Sequence, residues 1–354
     1  MHTKKNIIGL SRNELSEELL VIGEKPFRLK QLWHWLYHQG VRDFSEMSTI
    51  SKQLQEKLAG LYEIGRPKVD AEQTSSDGTR KWLFGYADGA KIEAVYIPEE
   101  DRGAVCISSQ VGCAMNCGFC RTGSGGFTRN LTPYEIVSQF MSARDSYGEW
   151  PTKVDSNRML SNIVFMGMGE PLLNYDNVIG AIRILTDNEG ICVSKRKITV
   201  STCGIAPVIP RLAKDISGVK LALSLHASND ETRSRLMPIN NKYPLKEVMA
   251  ACRKYQEDIE QGRQYITMEY VMLAGVNDSN EDAYNLIKLC KDMKIKVNII
   301  PFNEWAGAPY KCSSMKRIKE FARILEDHHV PAPIRTSRGQ DILAACGQLK
   351  HAQQ

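Results

Sequence analysis

The sequence contains no apolar stretch that approaches the roughly 18 residues needed to cross a membrane. Its first residues, MHTKKNIIGL, are followed by the polar SRNELSEE and not by an apolar segment with a cleavage site, so no secretory signal is expected. Internal repeats and low-complexity tracts are also absent. These absences exclude a transmembrane or repeat protein, and we expect a cytoplasmic protein that does not associate with membranes.

The composition is that of a globular protein with a sizeable core, with 42% hydrophobic and 25% charged residues. The 354 residues suffice for one large domain and a smaller one. A net charge of +5 permits a polyanionic partner without requiring one. The ten cysteines are expected to be free thiols, metal ligands or catalytic groups, because the cytosol is reducing.

The first part of the chain has the pattern of a small helical domain, predicted over residues 1–65. The segment FRLKQLWHWLYHQG carries an apolar stripe of helical period and ends at Gly40, and Ser51 begins a second helical stretch. A β-hairpin connector is predicted over residues 66–98, where Asp88 and Gly89 form a turn signal. Taken alone, Glu93 in this hairpin is expected to be an exposed strand carboxylate.

Strands then alternate with helical segments in six successive units, which predicts an α/β fold with a parallel sheet. The candidate strands are residues 104–109, 162–167, 197–202, 220–225, 266–273 and 296–301. The pattern fits either a doubly wound sheet or a barrel. In both architectures ligands bind beyond the carboxyl ends of the strands.

The segment CAMNCGFC holds three cysteines, Cys113, Cys117 and Cys120, directly after the first of these strands, and no fourth cysteine follows nearby. Three thiolates can hold a four-iron cluster and leave one iron open to another ligand. A zinc site completed by a remote histidine or cysteine fits the same spacing. The cysteines alone do not separate the two.

Longer motifs carry a resemblance to a known family. They are GAVCISSQVGCAMNCGFCRTG, GFTRNLTPYEIV, MGMGEPLLNYDNV, SLHASND, RLMPIN and DILAACGQL. From about residue 91 to residue 349 the sequence resembles the RlmN/Cfr family of radical S-adenosylmethionine (SAM) methyltransferases. One departure is STCG, with Cys203, where the family has STSG.

The resemblance implies a partial (βα)6 radical SAM barrel over residues 99–349, with a catalytic segment at its C-terminal end. It implies a [4Fe–4S] cluster on Cys113, Cys117 and Cys120, and SAM as methyl donor and radical source. The implied SAM contacts are Gly169, Glu170, Ser201, Ser224, Leu225, His226 and Asn303. The implied catalytic residues are Cys346, which carries the methyl group, Cys106, which resolves the adduct through a disulfide, and Glu93, a proton acceptor.

The implied reaction is methylation at C2 of an adenosine in the peptidyl-transferase region of 23S rRNA, and of the adenosine 3′ of the anticodon in tRNA. It uses an S-methylcysteine and two SAM per turnover, because the adenine carbon is not nucleophilic. The implied partners are 23S rRNA, tRNA and an electron donor such as flavodoxin or ferredoxin, and we expect a monomer. Methylation at C8 of the rRNA adenosine is the alternative within the family.

An alternative from another class is a non-catalytic, zinc-binding RNA-interaction protein. In either class lysine and arginine side chains are expected to hold RNA phosphates around the barrel mouth and on the small domain. The candidates are Lys195, Arg196, Lys197, Arg335 and Arg338.

Overall fold

The computed structural model of the chain describes residues 4–100, 102–153, 158–259 and 265–349, so Met1 to Thr3 of the predicted N-terminal domain lie outside it. Its strands, numbered in chain order, are β1 (Lys5–Asn6), β2 (Tyr62–Glu63), β3 (Lys68–Thr74), β4 (Arg80–Gly85), β5 (Lys91–Pro98), β6 (Gly103–Cys106), β7 (Gln110–Gly112), β8 (Phe127–Asn130), β9 (Leu160–Phe165), β10 (Ile198–Thr202), β11 (Lys220–Ser224), β12 (Ile266–Met272) and β13 (Ile295–Pro301).

Eleven α-helices pack around these strands in the described ranges. They are α1 (Arg12–Val21), α2 (Phe27–Trp33), α3 (Lys52–Leu61), α4 (Arg121–Ser124), α5 (Pro133–Tyr147), α6 (Tyr175–Leu185), α7 (Ile209–Asp215), α8 (Asp230–Leu236), α9 (Leu245–Asp258), α10 (Asn280–Leu289) and α11 (Met315–Asp327). Single helical turns of other types cover His34–Gln39, Phe44–Glu46, Pro171–Asn174, Lys195–Lys197, Pro238–Asn241 and Gln340–Ile342. In these ranges no helix is long and apolar enough to cross a bilayer.

One nine-stranded sheet organises the molecule, in the order β13-β12-β11-β10-β9-β6-β5-β4-β3. The six strands from β6 and β9 to β13 are parallel, which confirms the predicted six-unit parallel sheet. Strands β4 and β5 form the predicted hairpin, and β3 extends it by a third antiparallel strand. Because β13 and β3 are the sheet edges and do not pair with each other, the barrel is partial.

The parallel strands are mostly buried and rich in apolar residues, and polar residues such as Lys220 and Asn298 interrupt them at half-buried or exposed positions. All seven residues of β12 are buried, including Glu269 in its middle. The outer layer consists of amphipathic helices; α11 buries Ile318, Phe321 and Leu325, at spacings of three and four residues. Each such side chain contributes about 1.5–3 kcal/mol through the apolar surface it removes from water.

The N-terminal region is helical, as predicted. Helix α2 runs into the turn His34–Gln39, which ends at Gly40 in the left-handed conformation (φ 71°). A Cβ atom on Gly40 would lie 2.1 Å from the Trp150 ring, so this stop requires glycine. The Ser51 hydroxyl accepts a hydrogen bond from the Leu54 N–H and starts α3, also as predicted.

Tyr37, on this helical turn, gives a test of how the N-terminal segment is anchored. Its side chain is fully buried and its hydroxyl accepts a 2.9 Å hydrogen bond from the Gly9 N–H. We expect Tyr37→Phe to lower the free energy of unfolding by about 1–3 kcal/mol, because the amide loses its partner. Urea denaturation measures the change. Tyr284→Phe, at a ring that is 52% exposed, is the control and should unfold like the wild type. Equal midpoints for all three proteins would contradict the assignment.

Candidate active site

The three motif cysteines lie in the loop between β7 and α4, where one wall of a large cavity begins. Gly112, just before Cys113, has φ +76°, and a Cβ atom there would lie 2.1 Å from the Gly126 carbonyl oxygen. The loop is held by hydrogen bonds from Cys113 N–H to the Gly126 carbonyl (2.7 Å) and from Gly118 N–H to the Leu236 carbonyl (2.9 Å). All three cysteines line the cavity, which encloses about 1050 Å³ including its mouth.

The chemistry of these thiols fits an iron–sulfur cluster. Burial, together with the neighbouring thiols, raises the pKa of Cys120 to about 11 and raises that of Cys113 further. These two thiols are therefore protonated at neutral pH unless a metal displaces the protons. In the described residues no three histidine, cysteine, aspartate or glutamate side chains are placed to share one metal ion, as a mononuclear zinc site requires. Three thiolates that each take a different iron of one cluster do not need that proximity.

Opposite the cysteines, the turn after β9 presents Gly169 and Glu170. Gly169 has φ +98°, and a Cβ atom there would lie 2.5 Å from Cβ of Gln110. The side chain of Gln110 accepts a 2.9 Å hydrogen bond from the Glu170 N–H. The buried Glu170 carboxylate accepts hydrogen bonds from Leu172 N–H (3.0 Å) and Cys203 N–H (2.6 Å). The side chains of Thr202 and Cys203 also hydrogen-bond to this carboxylate, which lines the cavity.

The next two strands each add a predicted residue to the same wall. Ser201 and Ser224 stand at the ends of β10 and β11, with their hydroxyl oxygens 3.4 Å apart. His226 follows with φ 57°, and its Nδ1 accepts a 3.1 Å hydrogen bond from the Val271 N–H. Burial, aided by Arg233, lowers the pKa of His226 to about 3, so the ring is neutral and carries its proton on Nε2. All three side chains line the cavity.

Two predicted SAM contacts do not line this cavity. Leu225 is fully buried; its N–H donates to the Glu269 carbonyl (3.1 Å), and its carbonyl accepts from Arg233 Nε (3.1 Å). Asn303 lines an adjoining pocket. Its side chain donates to the Cys346 carbonyl (3.3 Å) and accepts from Gln340 (3.0 Å). In this structure Asn303 therefore holds the C-terminal segment.

The prediction that Glu93 is an exposed strand carboxylate is wrong. Only 8% of the residue is exposed, because β5 lies inside the sheet and is covered on this face. Its carboxylate forms an ion pair with Lys81 Nζ at 3.0 Å, and Glu93 does not line the main cavity. Lys81 also lies 3.5 Å from the Leu343 carbonyl oxygen, three residues before Cys346. This contact of Lys81 was not predictable from the sequence, since Lys81 lies on the neighbouring strand.

Cys106 and Cys346 both line the main cavity, as free thiols. Cys106 is the buried last residue of β6, where burial and the Cys346 thiol raise its pKa to about 12 and Arg335 opposes the rise. Cys346 is exposed as a residue and follows two buried alanines. Its thiol faces the cavity, where burial raises its pKa and Arg335 lowers it.

Several lining residues were not found by the motif search, among them Glu269, Met166 and Cys203. A hydrogen bond with Cys117, together with burial, raises the pKa of Cys203, so this departure from the family pattern lies directly beside a cluster cysteine. Arg335, expected on a phosphate-binding surface, faces the cavity as well. Its N–H donates to the Ile299 carbonyl (2.8 Å), so residues 333–335 run beside β13 like a further strand. In the sequence, the alternating pattern of IRTSR is the local feature that indicates this extended course.

The other expected phosphate contacts lie outside the main cavity. Arg338 is exposed and lines the adjoining pocket, which also contains Asn303 and Cys346. Lys195, Arg196 and Lys197 are exposed and precede β10, so they lie at the amino end of the sheet and not at the mouth that holds the cysteines. Lys197 lines a second large cavity together with Lys220 and Lys296, which we call the basic cavity.

Comparison with known proteins identifies the family. The family model of the ribosomal RNA large subunit methyltransferase N-terminal domain matches residues 5–64, and that of the radical SAM superfamily matches residues 107–287. The dual-specificity RNA methyltransferase RlmN of Rhodospirillum rubrum is 58% identical over 98% of this chain and 80% of its own length. The protein of the same name from Gluconobacter oxydans is 55% identical over 98% and 85%. The chain belongs to the RlmN family of radical SAM methyltransferases.

A solved structure supports the fold. The crystal structure of a radical SAM methyltransferase from Sphaerobacter thermophilus superposes with a TM-score of 0.91 at 42% identity, and the match covers 98% of this chain and 100% of that one. Both the predicted family and the predicted radical SAM fold are thus confirmed. Membership of the superfamily implies that SAM and a [4Fe–4S] cluster are the cofactors.

Cluster binding can be tested by removing one thiol at a time. After anaerobic purification and reconstitution, we expect Cys113→Ala, Cys117→Ala and Cys120→Ala to lose iron, sulfide and visible absorption, because each removes one of three ligands. Cys252→Ala, at a fully buried cysteine of α9, is the control and should keep all three. Iron and acid-labile sulfide assays measure the result. A colourless wild-type protein that holds zinc and no sulfide would favour the zinc alternative.

Proposed function

We propose that this protein transfers a methyl group from SAM to C2 of an adenosine in RNA. The proposed substrates are the peptidyl-transferase region of 23S rRNA and the adenosine 3′ of the anticodon in tRNA. The observation that carries the proposal is the presence of two free thiols, Cys106 and Cys346, in the cavity that also holds the three cluster cysteines. The name of the relatives, dual-specificity RNA methyltransferase, supports two RNA substrates.

The proposed reaction needs two thiols because of the low reactivity of adenine C2. Adenine C2 is not nucleophilic, so it cannot displace a methyl group from SAM directly, whereas a cysteine thiolate can. In the proposed sequence the Cys346 thiolate takes the methyl group and becomes an S-methylcysteine. When bound, the cluster and a second SAM supply the one-electron chemistry that removes a hydrogen atom from this methyl group. Cys113, Cys117 and Cys120 would hold the cluster, and Gly169, Glu170, Ser201, Ser224 and His226 would hold SAM.

The remaining steps belong to the chain's own residues. The methylene carbon on Cys346 bonds to C2 of adenine. The adduct then gives up the C2 proton to a base and one electron, which the cluster, when bound, would take back. The Cys106 thiolate then attacks Sγ of Cys346, and the bond between Sγ and the methylene carbon breaks. The carbon takes up a proton to give methyladenosine, and the two cysteines are left as a disulfide that an external reductant must reduce.

Proton transfer is the step for which we propose Glu93. A carboxylate suits the acceptance of the C2 proton. In this structure the Glu93 carboxylate is paired with Lys81, which also contacts the C-terminal segment at Leu343. Action as a base therefore requires the pair to separate when this segment moves. Asn303 stays a proposed SAM contact on the same condition, since its amide holds Cys346 here. Leu225 also stays a proposed SAM contact, and in this structure its main chain is bonded to Glu269 and Arg233.

We also propose that residues 1–65 form an RNA-contacting domain, joined by residues 66–98 to the core at residues 99–349. The match of the family's N-terminal domain to residues 5–64 supports the first boundary. Target adenine must leave its stack to reach the cavity, which favours a loop or bulge as substrate. The proposed reaction further requires an electron donor such as flavodoxin or ferredoxin, and we propose that the protein acts as a monomer.

The direct test of this function is the variant Cys106→Ala, which should trap the adduct. It removes the thiol that breaks the sulfur–carbon bond, so RNA should stay covalently attached to Cys346. Nuclease digestion and peptide mass spectrometry of the protein, purified with its cellular RNA, detect an adenosine on the Cys346 peptide. The wild type should carry little of it, and Cys106→Ala/Cys346→Ala none.

A second measurement, on RNA methylated by the wild type, identifies the carbon that is methylated. Hydrolysis of RNA from a wild-type reaction yields 2-methyladenosine if the proposal is correct, and 8-methyladenosine if the reaction is of Cfr type. A Cys106→Ala protein that keeps its cluster and binds SAM, yet carries no adduct, would refute the proposed roles of both cysteines.

Arg335 provides a pH-dependent test of the same scheme. Its guanidinium lowers the pKa values of both thiols, against burial, which raises them. In Arg335→Met both pKa values should rise, so less thiolate is present at a given pH. S-methylation of Cys346 at neutral pH should slow roughly tenfold for each unit of rise, and should recover as the pH is increased. Mass spectrometry of the Cys346 peptide measures the rate. The control is Arg338→Met, at an exposed neighbour; a slower rate with no change in the pH profile would contradict the electrostatic role.

A further inference from the structure

Glu269 is a buried carboxylate in the cavity to which the proposed reaction assigns no role. It lies in the middle of β12, in register with Ser224 on one side and Asn298 on the other, and is 4% exposed. Oε1 accepts a 3.0 Å hydrogen bond from the Asn298 amide. Oε2 is inaccessible to solvent and has no hydrogen-bond partner among the described residues. An unpaired buried carboxylate oxygen is costly, and such atoms are found where a ligand completes the site.

Glu269 lines the same cavity as Arg335 and Cys346. Arg335 is the first of the charges that oppose the burial-induced rise in its pKa, and Glu269 in turn raises the pKa of the Cys346 thiol. Glu269 therefore lies near the thiol that would carry the methyl group.

Glu269 also stands where two cavities meet. It lines the main cavity and, together with Arg335 and Met166, the basic cavity. Lys197, Lys220 and Lys296 line the basic cavity without reaching the main one. Lys197 precedes β10, and Lys220 and Lys296 lie at the starts of β11 and β13, so the basic cavity lies toward the amino ends of these strands. Glu269 and Cys346 both line the main cavity, so a base that reaches Cys346 there meets Glu269 as well.

We propose that Oε2 of Glu269 accepts a hydrogen bond from the exocyclic amino group of the target adenine and so positions its ring beside Cys346. The assignment rests on the proposed function. A carboxylate is a hydrogen-bond acceptor, and the amino group on C6 is adenine's donor, whereas a 6-oxo purine would present an oxygen to the same carboxylate. Glu269 is thus a positioning and specificity residue, distinct from the groups that carry the methyl.

The test pairs one protein change with one substrate change. An rRNA fragment containing the target adenosine is compared with the same fragment carrying purine riboside, which lacks the amino group, at that position. In wild type the proposed hydrogen bond forms with adenosine and not with purine riboside, so it raises kcat/KM for adenosine alone. In Glu269→Met it is lost, so the ratio of kcat/KM values for adenosine over purine riboside should fall about tenfold or more relative to wild type. Intrinsic reactivity differences between the two bases cancel in this comparison.

Two further variants keep the test independent of folding. Glu269→Gln keeps the size of the side chain and the bond from Asn298, turns an N–H2 group toward the base, and should lose the same selectivity. Met268→Leu, at the fully buried neighbour on the opposite face of β12, should keep the wild-type ratio. Each variant is also incubated with SAM without RNA. S-methylation of Cys346 should be unchanged in Met268→Leu and at least as fast as wild type in both Glu269 variants, because the carboxylate raises the pKa of that thiol.

Each outcome decides between specific alternatives. A Glu269→Met protein that slows both RNAs equally overturns the proposal, because the carboxylate then does not recognise the amino group. Loss of SAM binding or of S-methylation in Glu269→Met and Glu269→Gln also overturns it, since the carboxylate would then serve SAM. A wild type that S-methylates Cys346 but transfers no methyl group to either RNA refutes the proposed function itself, which separates that failure from failure of the Glu269 assignment.

Discussion

The position of Cys346 depends on hydrogen bonds that hold the C-terminal segment against the cluster loop. The Gly347 carbonyl accepts from Arg121 N–H at 2.9 Å, and the Leu349 carbonyl accepts from the Thr122 hydroxyl at 2.7 Å. Both donors directly follow Cys120. Because main-chain carbonyls make these contacts, the thiol itself stays available to the cavity. The segment is also tied by Gly339 N–H to Asp77 at 2.9 Å, so the hairpin region takes part in placing it.

Burial sets the reactivity of the thiols that meet at this place. A Cys106 thiol with a pKa near 12 is almost wholly protonated at neutral pH and hence a poor nucleophile. That inertness has a use in the proposed sequence, since a thiolate at Cys106 would compete with Cys346 for the methyl group of SAM. Arg335, close to both thiols, works against burial and makes deprotonation attainable. The balance between the two effects decides when the sulfurs react.

The six parallel strands and the hairpin were predictable from the sequence, because β-rich and helical segments that alternate along the chain are typical of a parallel sheet. The motif cysteines and Gly169 were also identifiable, since loops at the ends of parallel strands meet at one edge of a sheet. The contact of Lys81 and the course of Arg335 were not predictable, as both come from neighbours distant in sequence. The ion pair of Lys81 with Glu93 depends on strand register, and the inward course of Arg335 depends on pairing beside β13.

Glu269 shows why a motif search misses residues whose roles come from distant parts of the chain. Its neighbours in sequence are all buried, so a lone carboxylate in an apolar strand looks like an interruption of the core. In the structure Glu269 faces the inside of the partial barrel, where it lines both the main cavity and the basic cavity. Burial of a carboxylate oxygen without a partner costs free energy, and a hydrogen-bond donor that enters the cavity offsets this cost. A barrel strand can therefore be apolar enough to fold and still carry the one acceptor that distinguishes an amino-purine.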